Sequence, residues 1–314
     1  MEDSAGKQQQ TMPQWVAGRS EALAATQICQ EYFKLTKPRI ALLIVISTAV
    51  GYCYGAASGF NFVTFLHVLV GTALMAAGSA TLNQWYEQDA DAQMNRTRTR
   101  PIPAGTIPSR HAFLFGLAIS LFGVIELWIF CGTVAAVIGF LTSAGYLLAY
   151  TPLKRKHPIC TTVGALPGAM PPLIGFAAAS GGRLGIEAWV LFGILFLWQF
   201  PHFHAIAWLY REDYERAGIK MLAVVRPQGM ALTLEILVTL VLLLPVTLAP
   251  AFLHMAGKVY FAAAFLLDIA FLYFGVQMSR ERNRTRARSL LLASVIYMPL
   301  LFGFLVFNNL RFLI

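Results

Sequence analysis

Residues 62–83 read FVTFLHVLVGTALMAAGSATLN, and residues 84–105 follow at once as QWYEQDADAQMNRTRTRPIPAG. The first stretch holds no Asp, Glu, Lys or Arg. Its length meets the roughly 20 apolar residues that a helix needs to cross a bilayer. The second stretch is dense in charge of both signs. A membrane helix that empties directly into acids and arginines places polar chemistry at a membrane surface, and the rest of the chain repeats that design.

Eight further apolar runs extend approximately over 38–57, 111–129, 132–150, 159–180, 185–208, 229–250, 256–278 and 289–310. Backbone polar groups in lipid must be satisfied within their own segment, and these runs are too long for barrel strands, so each is read as a helix. The expected fold is therefore all-α, a polytopic membrane protein with nine transmembrane helices. Composition agrees: 57% of the 314 residues are hydrophobic and only 12% charged, against roughly 25% charged in soluble domains. We assign residues 1–33 as a polar N-terminal segment, disordered over 1–20, and residues 34–314 as one membrane domain. The N-terminal segment carries Glu2 and Asp3 and lacks a short apolar core, so it reads as neither a signal peptide nor a transit peptide.

The net charge of +9 is topological. With nine spans, 21 of the 24 lysines and arginines fall on the side of the N terminus, leaving Arg183, Lys258 and Arg311 opposite. That asymmetry is the positive-inside rule. It makes the N terminus cytoplasmic and the C terminus periplasmic, and it removes nucleic acid as a partner. Cys29, Cys53, Cys131 and Cys160 stand without metal-ligand spacing and read as packing residues.

Two constellations carry candidate chemistry. In the first, Asn83, Glu87 and Asp91 recur every four residues, which aligns them on one helical stripe with about 40° of drift per step. Like charges at that spacing repel and invite a cation. Hard oxygen ligands with room for water and phosphate suit Mg²⁺. Asp89 points away from the stripe. Arg96 and Arg100 follow, completing a metal-plus-guanidinium clamp of the kind that stabilises a departing diphosphate. The second constellation lies after the sixth span, where Tyr210-Arg211-Glu212-Asp213-Tyr214-Glu215-Arg216 leads to Lys220.

From Asn83 to Gly105 the chain resembles the first signature of the UbiA-type intramembrane prenyltransferases, NxxxDxxxD, with Glu87 in place of the first Asp. Arg96-Thr97 and Arg100-Pro-Ile-Pro-Ala-Gly105 are similar to the heme O synthase branch. Pro201-His202-Phe203 and Asp213-Tyr214 through Ala217-Gly218 to Met221-Leu222 resemble further signatures of that branch, with His204 where the branch has Trp. Position 209 is Leu, so the DxxxD pair of the wider family is incomplete and Asp213 is the favoured second acid. Tyr150 and Lys154 match a YxxxK arrangement whose Lys the family associates with diphosphate; topology alone could also place a Lys there.

The resemblance implies a ring of helices around a cavity. It implies a Mg²⁺ site at Asn83, Glu87, Asp91 and Asp213, and substrate contacts at Arg96, Arg100, Tyr150, Lys154, Tyr210, Arg211, Lys220, His202 and His204. His202 is either an iron contact or a structural hydrogen-bonding residue. The implied reaction moves a farnesyl group from farnesyl diphosphate to a vinyl group of heme B, with heme B a substrate and Mg²⁺ the cofactor. The implied setting is a bacterial inner membrane, with a mitochondrial inner membrane as the alternative. Implied partners are the lipid bilayer and the downstream heme-modifying enzyme or terminal oxidase assembly. Two other readings remain open: a sister prenyltransferase with an aromatic or quinone-precursor acceptor, and a transporter using Glu126, Glu235 and Asp268, read as mid-span acids, for protons.

Overall fold

The computed structural model describes residues 26–56 and 59–309; the N-terminal stretch expected to be disordered lies outside them. Among the described residues, nine helices are long and apolar enough to span a membrane. They are α1 (Pro38–Gly55), α2 (Phe62–Tyr86), α3 (Ser109–Cys131), α4 (Thr133–Leu153), α5 (Cys160–Ala179), α6 (Ile186–Leu209), α7 (Met230–Phe252), α8 (Lys258–Arg280) and α9 (Arg284–Phe307).

Most expected boundaries lie within a few residues of these. The exception is α9, which starts at Arg284 rather than near 289, with Asn283 capping it through a 2.9 Å bond from Arg286 N. Arginine is a good helix former whose long stem can carry its charge to water, so the arginines belong to the helix and not to the loop.

Consecutive helices pack side by side, and α9 returns against α6 as well as α8. The first half of the chain is drawn together by small residues. A Cβ built on Gly51 would lie 2.0 Å from the carbonyl oxygen of Pro172, and one on Gly175 would lie 1.9 Å from that of Thr48. Only glycine permits α1 and α5 to approach so closely. The outward surface carries large apolar side chains such as Leu148, Leu266 and Met230, as a lipid-facing wall requires.

Two local irregularities shape the end of the bundle that holds the connections after α2, α4 and α6. The expected stripe of Asn83, Glu87 and Asp91 bends at Glu87, where α2 ends and a short helix, Gln88–Gln93, begins. Its helical hydrogen bonds persist across the bend, from Glu87 N to Asn83 O at 2.9 Å and from Asp91 N to Glu87 O at 2.8 Å. In α4, residues Gly145–Tyr150 widen into a π-helical turn, a distortion that often marks functional positions.

Two of the three acids read as mid-span sit elsewhere. Glu126 lies one turn from the end of α3 and bonds His67 Nδ1 at 2.6 Å; Glu235 lies in the second turn of α7 and bonds His204 Nε2 at 2.7 Å. Only Asp268 is both central in its helix and buried. Each acid is hydrogen-bonded to a residue of a neighbouring helix, Glu126 to His67, Glu235 to His204 and Asp268 to Thr247 and Tyr297.

Candidate active site

The site assembles where segments distant in sequence meet. Before α1, Leu35 is buried with Ile102, Ile107 and Ala112, and Gln84 Nε2 donates to its carbonyl at 2.7 Å. This anchor sets the entry to α1. Lys37, two residues on, adopts a left-handed backbone with φ 48°, a conformation that costs a non-glycine residue roughly 1–2 kcal/mol. Its side chain donates to Asn83 Oδ1 at 3.2 Å.

Asn83 is a hub. Its amide nitrogen donates to Glu87 Oε2 at 3.0 Å and to Thr151 Oγ1 at 3.2 Å, so α1, α2 and the end of α4 converge on one side chain. Thr151 follows the π-helical turn, which carries Lys154 to Glu87. The ammonium donates to both carboxylate oxygens, at 2.8 and 3.1 Å, and lies 5.0 Å from the centre of the Tyr150 ring.

The downstream loop closes over this core. Asp91 is 1% exposed. Its Oδ2 accepts from Arg100 Nη1 at 2.6 Å, while its Oδ1 has no hydrogen-bond partner among the described residues. Thr97 Oγ1 donates to the Asp91 carbonyl at 2.9 Å, fixing the turn that brings Arg96 to the second constellation. Arg96 N donates to Asp213 Oδ2 at 3.4 Å, its guanidinium donates to Tyr214 Oη at 3.3 Å, and it stacks over Tyr210 at 4.7 Å. Asp213 also pairs with Arg216. Lys220 N donates to the Lys154 carbonyl at 2.7 Å, tying the two connections together.

The electrostatics follow from this crowding. Burial pushes the Lys37 amine down to about 7, helped by the Arg100 charge. Burial opposes charge on Glu87 and Lys154 too, but there the ion pair wins: Lys154 holds the Glu87 carboxyl below its ordinary value, and Glu87 raises the Lys154 ammonium well above its own.

Most of the residues predicted from sequence meet here: Asn83, Glu87, Asp91, Arg96, Arg100, Tyr150, Lys154, Tyr210 and Asp213. Others do not join the cluster. Arg211 stacks on Trp208 at 4.2 Å and pairs with Glu212, and Lys220 contributes its backbone. His202 Nδ1 bonds Ser294 Oγ at 2.8 Å, and His204, fully buried, holds Glu235. Sequence reading passed over Lys37, Thr151 and Tyr214 as site residues. Lys37 had been read as positive-inside charge, and only its position before Pro38, at the start of a span, hinted at a constrained backbone.

No group of three or more His, Cys, Asp or Glu side chains among the described residues could by itself hold a metal ion. The donor set nevertheless fits a hard cation that shares its coordination with phosphate. It consists of oxygens, and the orphaned Asp91 Oδ1 is a buried acceptor in want of a positive partner.

The model of the UbiA prenyltransferase family matches residues 44–307. A protoheme IX farnesyltransferase of Solibacter usitatus is 49% identical over 289 residues, spanning 89% of this chain and 99% of that protein. One from Koribacter versatilis is 44% identical over 292 residues, spanning 90% and 94%. Among solved structures, a digeranylgeranylglyceryl phosphate synthase superposes with a TM-score of 0.75 at 18% identity, covering 90% of this chain and 98% of that one. A UbiA homolog from Archaeoglobus fulgidus bound to GPP and Mg²⁺ gives 0.63 at 18% identity, covering 88% and 99%.

Proposed function

The chain belongs to the UbiA prenyltransferase family, and on that premise we propose that it transfers a farnesyl group from farnesyl diphosphate to a vinyl group of protoheme IX. The observation that carries this reading is that one short segment engages both acids, Arg100 donating to Asp91 at 2.6 Å and Arg96 N to Asp213 at 3.4 Å. The names of the relatives supply the acceptor.

Asn83, Glu87, Asp91 and Asp213 would hold Mg²⁺ together with the diphosphate. Bound there, Mg²⁺ would neutralise charge as the diphosphate leaves. Arg96, Arg100 and Lys154 add positive charge at the same end of the bundle, where it favours the leaving group over the intact ester. The C1–O bond of the farnesyl chain breaks with its electron pair on the diphosphate. An apolar surrounding would keep water from the allylic cation until the vinyl group attacks it. The vinyl π pair forms the new C–C bond, and water captures the resulting cation, releasing a proton to give a hydroxyethylfarnesyl group.

His202 and His204 are held to structural roles in this reading, by Ser294 and Glu235. The diphosphate end faces the cytoplasm of a bacterial inner membrane, in line with the 21 basic residues counted to that side. The product passes to a heme-modifying enzyme or an oxidase assembly in the same membrane.

The test is incubation of the purified protein with heme B, labelled farnesyl diphosphate and Mg²⁺. Label in a farnesylated heme, lost in EDTA and restored by excess Mg²⁺, is the expected result. Label transferred instead to an aromatic acid such as 4-hydroxybenzoate, with none in heme, would replace this acceptor with the alternative one.

A further inference from the structure

The contacts that gather the site also fill it. Glu87 Oε1 accepts from Lys154 at 2.8 Å, and Oε2 accepts from both Lys154 and Asn83, at 3.1 and 3.0 Å. Asn83 Oδ1 is taken by Lys37. The Glu87 side chain is 9% exposed and that of Lys154 14%, so water screens the pair little. Asp91 differs, because Arg100 engages Oδ2 and leaves Oδ1 open. Of these two carboxylates, Asp91 can therefore accept a cation as it stands, and Glu87 cannot.

A divalent cation entering Glu87 would meet an ammonium already at contact distance from both oxygens. Like charges that close in a partly buried site repel strongly, so Lys154 has to leave. Leaving it unpaired is costly: separating a buried pair commonly weakens an equilibrium by a factor on the order of 10²–10³. The ammonium needs another anion, and the diphosphate of the proposed substrate is the one at hand.

We infer that Lys154 is an internal counter-ion that occupies Glu87 until a diphosphate takes it over, so that metal at Glu87 and diphosphate at Lys154 enter as a linked pair. This rests on the diphosphate chemistry proposed above. Lys154 suits the role better than its neighbours do. Its ammonium is a compact point charge on a flexible stem, and the face of Tyr150, 5.0 Å away, accommodates it during the exchange. Arg100 need not move for Asp91 to bind. Arg216, with its side chain 47% exposed, is screened by water.

By linkage, freeing either member should favour its other ligand. The experiment uses the full-length protein in nanodiscs and inorganic pyrophosphate as the probe, in EDTA, by calorimetry. Glu87→Gln releases Lys154 and should tighten metal-free pyrophosphate about tenfold. Asp89→Asn removes the same charge from a position with no contact to Lys154 and should change it less than about twofold. Unchanged or weaker binding in Glu87→Gln overturns the inference, as does an equal effect in Asp89→Asn, which would mean only long-range charge.

The converse variant is read by Mn²⁺ spin resonance without pyrophosphate. Lys154→Gln should bind Mn²⁺ about tenfold more tightly than wild type, and Lys154→Arg should return to the weaker value. Mn²⁺ affinity that is unaltered or reduced in Lys154→Gln also overturns it. Neither measurement involves heme or a farnesyl chain, so failure here is separate from failure of the transfer assay.

Discussion

Asp91 and Asp268 are both buried aspartates in the same bundle, 1% and 4% exposed, yet they are built for opposite ends. Asp268 lies in the middle of α8, where Thr247 Oγ1 donates to one oxygen at 2.5 Å and Tyr297 Oη to the other at 2.6 Å. Tyr260 Oη in turn donates to the Thr247 carbonyl at 2.6 Å. Every acceptor is filled by a neutral hydroxyl, and the result ties α7, α8 and α9 together. Asp91 has one oxygen on a guanidinium and the other unpartnered. A carboxylate with a hydrogen bond on each oxygen is a structural joint. One with an oxygen left bare beside a guanidinium keeps an acceptor free, which is what the proposed metal site requires of it.

The largest effect that would sharpen this contrast is on turnover. Asp91→Asn should lower farnesyl transfer per folded molecule by a factor on the order of 10²–10³. Near-normal turnover would break the distinction between the two acids.

Asp268→Ala should do the reverse. It leaves the Tyr297 hydroxyl without its acceptor, while Thr247 keeps the carbonyls of Leu243 and Leu244, and should cost roughly 1–3 kcal/mol of stability, seen as a lower unfolding temperature in nanodiscs. Activity per folded molecule should change by no more than a few-fold. A loss of turnover without loss of stability would place Asp268 in the chemistry.

The smallest effect concerns Lys37. Its folded-state amine lies near 7 against an ordinary 10.5. Between those values the unfolded chain holds more protons, so this residue makes stability rise with pH across that window. Lys37→Met should flatten the rise, read as a smaller difference in unfolding temperature between pH 7 and pH 9. An unchanged slope would show that the amine is not held in its neutral form.

The acids were legible in sequence to different degrees, and for physical reasons. Asn83, Glu87 and Asp91 announced themselves because helical spacing is a local property and the bend at Glu87 keeps the hydrogen bonds that define it. Glu126 and Glu235 were misplaced in depth because an apolar run shows where a helix exists, not which distant side chains hydrogen-bond its acids. His67 and His204, which do so, lie 59 and 31 residues away from their acids. Lys37 looks like any other positive-inside residue until Asn83 is seen beside it, and Lys154, singled out by its YxxxK arrangement, gives no local sign of its Glu87 partner.

What the sequence determined by itself was the number of spans and the end at which charge collects. Apolar length and basic bias act segment by segment, through transfer of each side chain between water and lipid. The tertiary structure decided which cation meets which acid, and which acid is left with a bare oxygen. Those choices depend on distances between helices, set by close approaches such as Gly51 on Pro172 and by the widened turn before Thr151, and a contact across 67 residues of chain has no local signature.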